Sequence, residues 1–204
     1  MFTGIVQAVG KIRVCEARGG DLRLQIDTCT LDLGSVRIGD SIAVSGCCLT
    51  AIGKSPQGFA ADVSGETLSL TTLGELTAGS PVNLETALTL ATPLSGHLVS
   101  GHVDGVGVVS SRVEEARSVR FSFEAPPELT RYLARKGSIG VDGVSLTVNS
   151  VHGSRFEVNV IPHTLEHTVM GGYRIGTRVN LEVDLMARYL ERLLPASAAG
   201  RDSD

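Results

Sequence analysis

Ser41-Ile42-Ala43-Val44-Ser45-Gly46-Cys47-Cys48-Leu49-Thr50 and Ser138-Ile139-Gly140-Val141-Asp142-Gly143-Val144-Ser145-Leu146-Thr147 are one decapeptide written twice, 97 residues apart, with six identities in ten positions. Working outward at that offset, residues 1–88 align with 98–185 without a gap, with 23 identities in 88 positions. Unrelated sequences of this composition would match at roughly 6 to 8 positions, so the chain is a tandem duplication. Gly4, Val6, Val9 and Gly10 return as Gly101, Val103, Val106 and Gly107. Phe59, Val63, Thr67, Leu68 and Val82-Asn83-Leu84-Glu85 return as Phe156, Val160, Thr164, Leu165 and Val179-Asn180-Leu181-Glu182.

Each half carries short or alternating apolar runs, such as Leu22-Arg23-Leu24-Gln25-Ile26 and Phe156-Glu157-Val158-Asn159-Val160, bounded by glycine-rich turns. This is the signature of strands, and about six fit in each half. A closed barrel hides its strand edges, and about 88 residues suit a small Greek-key barrel better than a sandwich. The expected fold is all-β with short helices: two tandem six-stranded Greek-key β-barrels, residues 1–88 and 98–185, with a C-terminal helix. Residues 89–97 are the linker. Its first seven residues, Thr89 to Ser95, span at most about 25 Å, so the barrels must be neighbours. Pro126 to Arg135 reads as a short helix closing the second barrel. Residues 186–194 continue the second repeat as a helix, with Met186, Tyr189 or Leu190, and Leu193 at heptad-like spacing, which suits either packing on its own barrel or self-association. The small, polar tail 195–204 is expected to be disordered.

Composition narrows the function. Of 204 residues, 42% are apolar and 20% charged, as in an ordinary folded protein, and no apolar run reaches the roughly 18 residues of a membrane span. The start lacks a basic leader, which points to a cytoplasmic protein. A net charge of −4 without a basic stripe argues against nucleic acid as partner. The 24 glycines, with five Phe, three Tyr and no Trp, suggest many turns and cores of Val, Leu and Ile. Cys15, Cys29, Cys47 and Cys48 show neither a disulfide framework nor a metal-type spacing. Phosphate loop, nucleophile elbow and dinucleotide fingerprint are all absent from the sequence. His97 and His102, five apart, would face opposite sides of one regular strand, so no metal site is expected. What remains are polar or reactive positions inside the duplicated segments. Cys48 lies near Gly46, a residue type that lets a ligand approach the backbone, although both adjacent cysteines also fit as small hydrophobes. His102 and Ser100 fit equally as satisfied strand residues.

Five separated motifs, MFTGIV at 1–6, GCCLT at 46–50, GHLVSGHVDG at 96–105, KGSIGVDGVSLTV at 136–148 and IPHTLE at 161–166, resemble the riboflavin synthase family of the duplicated-barrel, alpha-chain type. The resemblance runs from Met1 to about Leu194. It implies a transferase, needing neither redox cofactor nor metal, that dismutates two 6,7-dimethyl-8-ribityllumazine molecules. One gives a four-carbon unit to the other, yielding riboflavin and 5-amino-6-ribitylamino-uracil. It also implies a homotrimer contacted through the C-terminal helix, with the productive site between barrels of neighbouring subunits.

By the same resemblance, the first barrel holds one lumazine with Gly4, Ile5 and Val6, with Cys48, Leu49 and Thr50, and with Asp62, Val63, Ser64, Gly65, Glu66 and Thr67. The second uses Gly101, His102 and Val103, then Lys136, Ser145, Leu146 and Thr147, and then Ile161, Pro162, His163, Thr164, Leu165 and Glu166. His102 is the expected base, with Thr147 as rival, because imidazole ordinarily titrates near neutrality. Cys48 is the expected nucleophile, or else a residue positioning water, and Ser145 is its counterpart in the second repeat. The substitutions Ile5 to His102, Ser45 to Asp142, Cys48 to Ser145, Glu66 to His163 and Gly39 to Lys136 are expected to set donor and acceptor roles. Ser45 departs from the Asn common in the family, which suggests an altered contact in the first pocket. Lumazine proteins, which carry one chromophore without turnover, share the architecture. The retained GHLVSGHVDG and KGSIGVDGVSLTV segments favour the enzyme.

Overall fold

The structure is a computed structural model and describes residues 1–194; the expected disordered tail lies outside the described residues. The first repeat forms β1 (Ala8–Arg18), β2 (Asp21–Asp27), β3 (Ser41–Val44), β4 (Cys47–Thr50), β5 (Gly53–Ser55), β6 (Gly58–Val63), α1 (Gly65–Leu70) and β7 (Pro81–Thr86). The second forms β8 (Gly105–Glu115), β9 (Ser118–Glu124), β10 (Ser138–Val141), β11 (Val144–His152), β12 (Arg155–Val160), α2 (Pro162–His167) and β13 (Arg178–Val183), and α3 (Leu185–Leu193) follows. Apart from β4, β5 and β11, every one of these strands, with helices α1 and α2, has its counterpart at the 97-residue offset.

The second sheet is a closed six-stranded barrel in the order β10-β11-β12-β9-β8-β13. The first reads β4-β3-β7-β1-β2-β6-β5, and its end strands β4 and β5 are halves of one strand interrupted at Ala51-Ile52. The Ile52 N–H donates to the Ala60 carbonyl at 2.8 Å, so the chain carries the circuit across the gap. At the corresponding point β11 has a register shift between Val148 and Ser150, a bulge that the first repeat widens into a break.

Each barrel buries its own core. The first is largely aliphatic, around Ile12, Leu24, Ile26, Ile42, Leu73 and Leu84, with Phe59 among them. The second departs from the expected Val, Leu and Ile filling. Phe123 stacks between Phe121 and Phe156, with centroids 6.0 and 5.2 Å away, and Tyr173 meets Phe121 edge-on. The passage expected as a helix after Pro126 is a 3₁₀ helix, Pro127–Tyr132. Its bonds run from Leu129 N–H to the Pro126 carbonyl and from Leu133 N–H to the Thr130 carbonyl, since so short a stretch gains little from α-helical nucleation. Buried Leu129 plugs the barrel end.

Helix α3 is capped by the Asp184 side chain on the Met186 N–H and tied to the second barrel by an Arg188–Asp104 ion pair and a Tyr132–Glu191 hydrogen bond. Met186, Tyr189, Leu190 and Leu193 point outward and are exposed. Among the described residues no helix is long and apolar enough to cross a membrane.

The barrels meet through reciprocal contacts. Two tight turns, Ser45-Gly46 and Asp142-Gly143, face each other tip to tip; a Cβ on Gly46 would lie 2.6 Å from the Gly143 nitrogen. Asn83 Nδ2 donates to the Asp142 carbonyl and Asn180 Nδ2 to the Ser45 carbonyl, each at 2.8 Å. Their Oδ1 atoms accept from Val169 N–H (2.9 Å) and Thr72 N–H (2.8 Å), again in the opposite half. This reciprocity is an approximate twofold relation inside one chain.

Ser45 therefore belongs to the interface between barrels, and the altered contact expected in the first pocket lies here instead. Both turns take φ near +44° at their first central residue, where asparagine and aspartate are better accommodated than serine. Ser45 Oγ accepts from Asn83 N–H at 3.3 Å, whereas the longer Asp142 reaches Asn180 N–H at 2.8 Å. Ser45→Asn is expected to raise unfolding stability by about 0.5–1 kcal/mol, read as a higher urea midpoint.

Asp142 is fully buried, and burial pushes its carboxyl up to about 6 against the opposing bonds from Tyr173 and Asn180. A raised folded-state value means that the folded chain holds this proton more tightly. The associated stability is complete below about pH 4 and is lost as pH rises through about 6, on the order of 3 kcal/mol. Asp142→Asn should flatten that part of the stability profile between pH 4 and 7. Burial shifts Glu85 and Glu182 in the same direction, so a smaller slope of the same sign should remain.

Candidate functional site

Two short straps precede the barrels, Thr3 to Val6 and Ser100 to Val103, and a buried glutamate pins each. Glu85 Oε1 accepts from Thr3 N–H (2.7 Å) and Thr3 Oγ (2.6 Å), and Oε2 accepts from Gly4 N–H (3.0 Å). Glu182 does the same for Ser100 N–H (2.6 Å), Ser100 Oγ (2.7 Å) and Gly101 N–H (3.0 Å). The straps cross between barrels. Cys48 N–H donates to the Gly101 carbonyl at 2.8 Å, and Ser145 N–H to the Gly4 carbonyl at 2.7 Å. Val103 packs against the first core and Val6 against the second. The backbone thus sets Gly101, His102 and Val103 beside Cys48, and Gly4, Ile5 and Val6 beside Ser145, whereas the grouping implied by the resemblance kept each strap with its own barrel.

A cavity of about 200 Å³ opens at the first of these junctions, lined by Cys47, Cys48, Ser64, Glu66, Thr67, Leu70, Thr71, Gly101, His102 and Val103. Strand β4 contributes the thiols, the start of α1 the hydroxyl and carboxylate groups, and the strap the imidazole. Ser64 caps α1 by accepting from Thr67 N–H at 3.3 Å, which fixes the lining hydroxyls. Cys47 is buried, and burial pushes its thiol up to about 12, so it is inert; half-buried Cys48 is the thiol with access. Leu49 and Val63 turn their side chains into the core, leaving only backbone groups for a ligand. Exposed Asp62 is engaged by Arg23 through paired bonds of 2.7 and 2.8 Å, which holds its carboxyl below the ordinary range. The Gly65 N–H is taken by Asp21 at 3.0 Å, and Thr50 is exposed on β4.

At the second junction the 97-residue correspondence puts Gly4, Ile5, Val6, Ser145, Ile161, His163, Thr164 and His167 where the first cavity has its lining. Ser145 Oγ lies 2.7 Å from His97 Nδ1, and burial lowers the imidazole's affinity for a second proton, with Asp184 opposing. His97 Nε2 is buried without a protein partner. Spacing in the sequence offers His97 only as a candidate metal ligand; its place beside Ser145 depends on the linker returning across the second barrel, where His97 N–H meets the Thr3 carbonyl at 3.1 Å. Lys136 is exposed, in a left-handed conformation (φ +69°), with its N–H on the Val148 carbonyl. Thr147 is exposed on β11, Leu146 and Leu165 lean on the core, and Pro162 and Glu166 sit on α2. Among the described residues no three potential ligands gather around a metal position.

This pair of strap-roofed barrels matches the lumazine binding domain twice, at residues 3–87 and 100–184. Riboflavin synthase of Photobacterium phosphoreum is 45% identical over 194 residues, covering 95% of this chain and 89% of the relative. That of Mycobacterium bovis is 47% identical over 200 residues, covering 95% and 98%. The chain belongs to the riboflavin synthase family. Solved structures similar to it include LumP complexed with riboflavin, at TM-score 0.82 and 28% identity over 90% of this chain and 99% of that one. LumP complexed with 6,7-dimethyl-8-(1'-D-ribityl) lumazine is similar at TM-score 0.80 and 27% identity, with the same coverage. The chain is thus similar both to riboflavin synthases and to LumP.

Proposed function

We propose that this chain is a riboflavin synthase, a transferase that passes a four-carbon unit between two 6,7-dimethyl-8-ribityllumazine molecules, giving riboflavin and 5-amino-6-ribitylamino-uracil. The observation that carries this reading is the pair of strap junctions, pinned alike by Glu85 and Glu182 but chemically unequal. A reaction whose two reactants are the same molecule needs two similar pockets and a difference between them. One junction joins a thiol to an imidazole, Cys48 with His102; the other joins a hydroxyl to an imidazole, Ser145 with His97.

The acceptor and donor must be treated differently: one lumazine loses a proton from the methyl group on C7, and the other gains a nucleophile at C7. Cys48, or a water held beside it, adds to C7, and His102 in the same cavity takes the proton released. Methyl deprotonation falls to the second junction, where His97, its affinity for a second proton lowered by burial, bonds Ser145; Thr147 is the alternative hydroxyl. Backbone groups at the straps and at β4 and β11 pair with the pteridine edge as one strand pairs another. The hydroxyls of Ser64, Thr67 and Thr164, with Lys136, hold ribityl and ring oxygens.

The exposed apolar face of α3 supports the homotrimer that the family resemblance implies, with first and second pockets of neighbouring subunits face to face. Four unpaired thiols suit the cytoplasm.

Incubation with the ribityllumazine alone, without added cofactor, should consume two molecules for each riboflavin formed and release one pyrimidine. Tight binding without product would replace this reading with that of a carrier.

A further inference from the structure

The strap that carries His102 is held at both ends. Glu182 takes Ser100 and Gly101 at its start; at its far end Asp104, the last residue before β8, is tied twice. Asp104 Oδ2 accepts from Val183 N–H at 2.8 Å, and Oδ1 accepts from Arg188 of α3. The first repeat lacks the second tie. Gln7 stands at the Asp104 position, and its Oε1 accepts from Thr86 N–H (2.9 Å) and Thr86 Oγ1 (3.0 Å), Thr86 being the counterpart of Val183. A neutral side chain satisfied by a neighbouring hydroxyl is thus replaced by a carboxylate with one oxygen left for α3, a helix that follows the second repeat alone. The Asp104 side chain is only 12% exposed, and burial pushes its carboxyl up, while the Val183 and Arg188 bonds and the nearby His102 imidazole favour the charged form.

We propose that Arg188 is a positioning residue for the first pocket: by gripping Asp104 it fixes the foot of the strap and so sets His102 against Cys48. Only His102 and Val103 lie between the two anchors, Gly101 and Asp104, so the strap has little slack with which to absorb a shift at its foot. A buried carboxylate deprived of its cation is costly where it stands, and Asp104 without Arg188 moves toward water and draws the strap with it. The seating of α3 on the second barrel is thereby read out in the pocket built on the first. The consequence for turnover rests on the proposed function of that pocket; the fixing of the strap does not.

Arg188→Met keeps most of the side chain's length and removes its donors. In the full chain, kcat for riboflavin formation should fall about tenfold while KM changes less than threefold, equally at all protein concentrations. Arg188→Lys should recover most of the rate, because a single donor meets Asp104. Asp104→Asn combined with Arg188→Met should be no slower than the slower of the two single variants, as for residues acting as one unit. A second readout needs no turnover. The strap lies over Cys48, so iodoacetamide should alkylate Cys48 at least threefold faster in Arg188→Met, with exposed Cys29 as internal reference. Unchanged Cys48 labelling would overturn the grip on the strap, and unchanged kcat in an active enzyme would overturn the positioning of His102. A loss of rate that vanishes at high protein concentration would overturn it too, since Arg188 would then be serving assembly. If the protein forms no riboflavin, the proposed function fails, and the Cys48 labelling still decides whether Arg188 holds the strap.

Discussion

Alanine at Gly101 is expected to lower kcat/KM for riboflavin formation by about 100-fold or more, the scale of loss that follows a displacement of about 1 Å in a positioned group. Gly101 has φ +81°, and an added Cβ would lie 2.6 Å from Cys48 Cβ, 2.8 Å from Phe2 Cε2 and 3.0 Å from the Cys48 nitrogen. The strap has no flexible side chain to yield there, so it must lift from β4 and carry His102 with it. Gly79→Ala is the control. It shares a positive φ (+92°), but nothing lies within 4 Å of its added Cβ, so it should cost stability through backbone strain and leave the rate near that of the unaltered chain. A Gly101→Ala enzyme as active as Gly79→Ala would mean that the strap is not part of the site.

The second large effect is expected at Glu182. Its carboxylate receives three donors from Ser100 and Gly101, and all of its acceptor capacity on that side is used. Glu182→Gln is nearly isosteric, but it replaces one acceptor oxygen with an NH2 group facing an N–H donor. Loss of about 2–4 kcal/mol in urea unfolding is expected from the unsatisfied buried groups. Because the strap released by this change roofs the first pocket, activity should fall further than the folded fraction does. Glu182→Ala should cost more in stability. A stability change below about 0.5 kcal/mol for either variant would contradict the pinning role.

The duplication, the strands and the number of barrels were legible because strand periodicity and glycine-rich turns are local, and one gapless offset carries both. The run Val-Asn-Leu-Glu, identical in both halves, was legible as a repeat but not as a device. Val and Leu fill the core, Asn83 and Asn180 cross between barrels, and Glu85 and Glu182 pin the straps. Polar residues recurring between core positions of a strand were the available signal. The exchange of straps was hidden, since linear order places Gly101 beside the second barrel and cannot say over which barrel four residues fold back. His97 was hidden for a related reason: its partner Ser145 lies 48 positions away and on another element. The aromatic second core was obscured by averaging, because whole-chain composition does not show that Phe121, Phe123 and Phe156 converge.

On the proposed function, His102 completes the pocket of Cys48 while Ser145 belongs to the other pocket, and the two pockets of a working site come from different subunits. Mixed trimers test it directly, formed by unfolding and refolding pairs of inactive variants together. His102→Ala with Ser145→Ala should recover a substantial share of riboflavin formation, because an intact first pocket from one chain can face an intact second pocket from another. His102→Ala with Cys48→Ala should recover none, since both chains lack the same pocket. Recovery in the second mixture, or its absence in the first, would contradict the account.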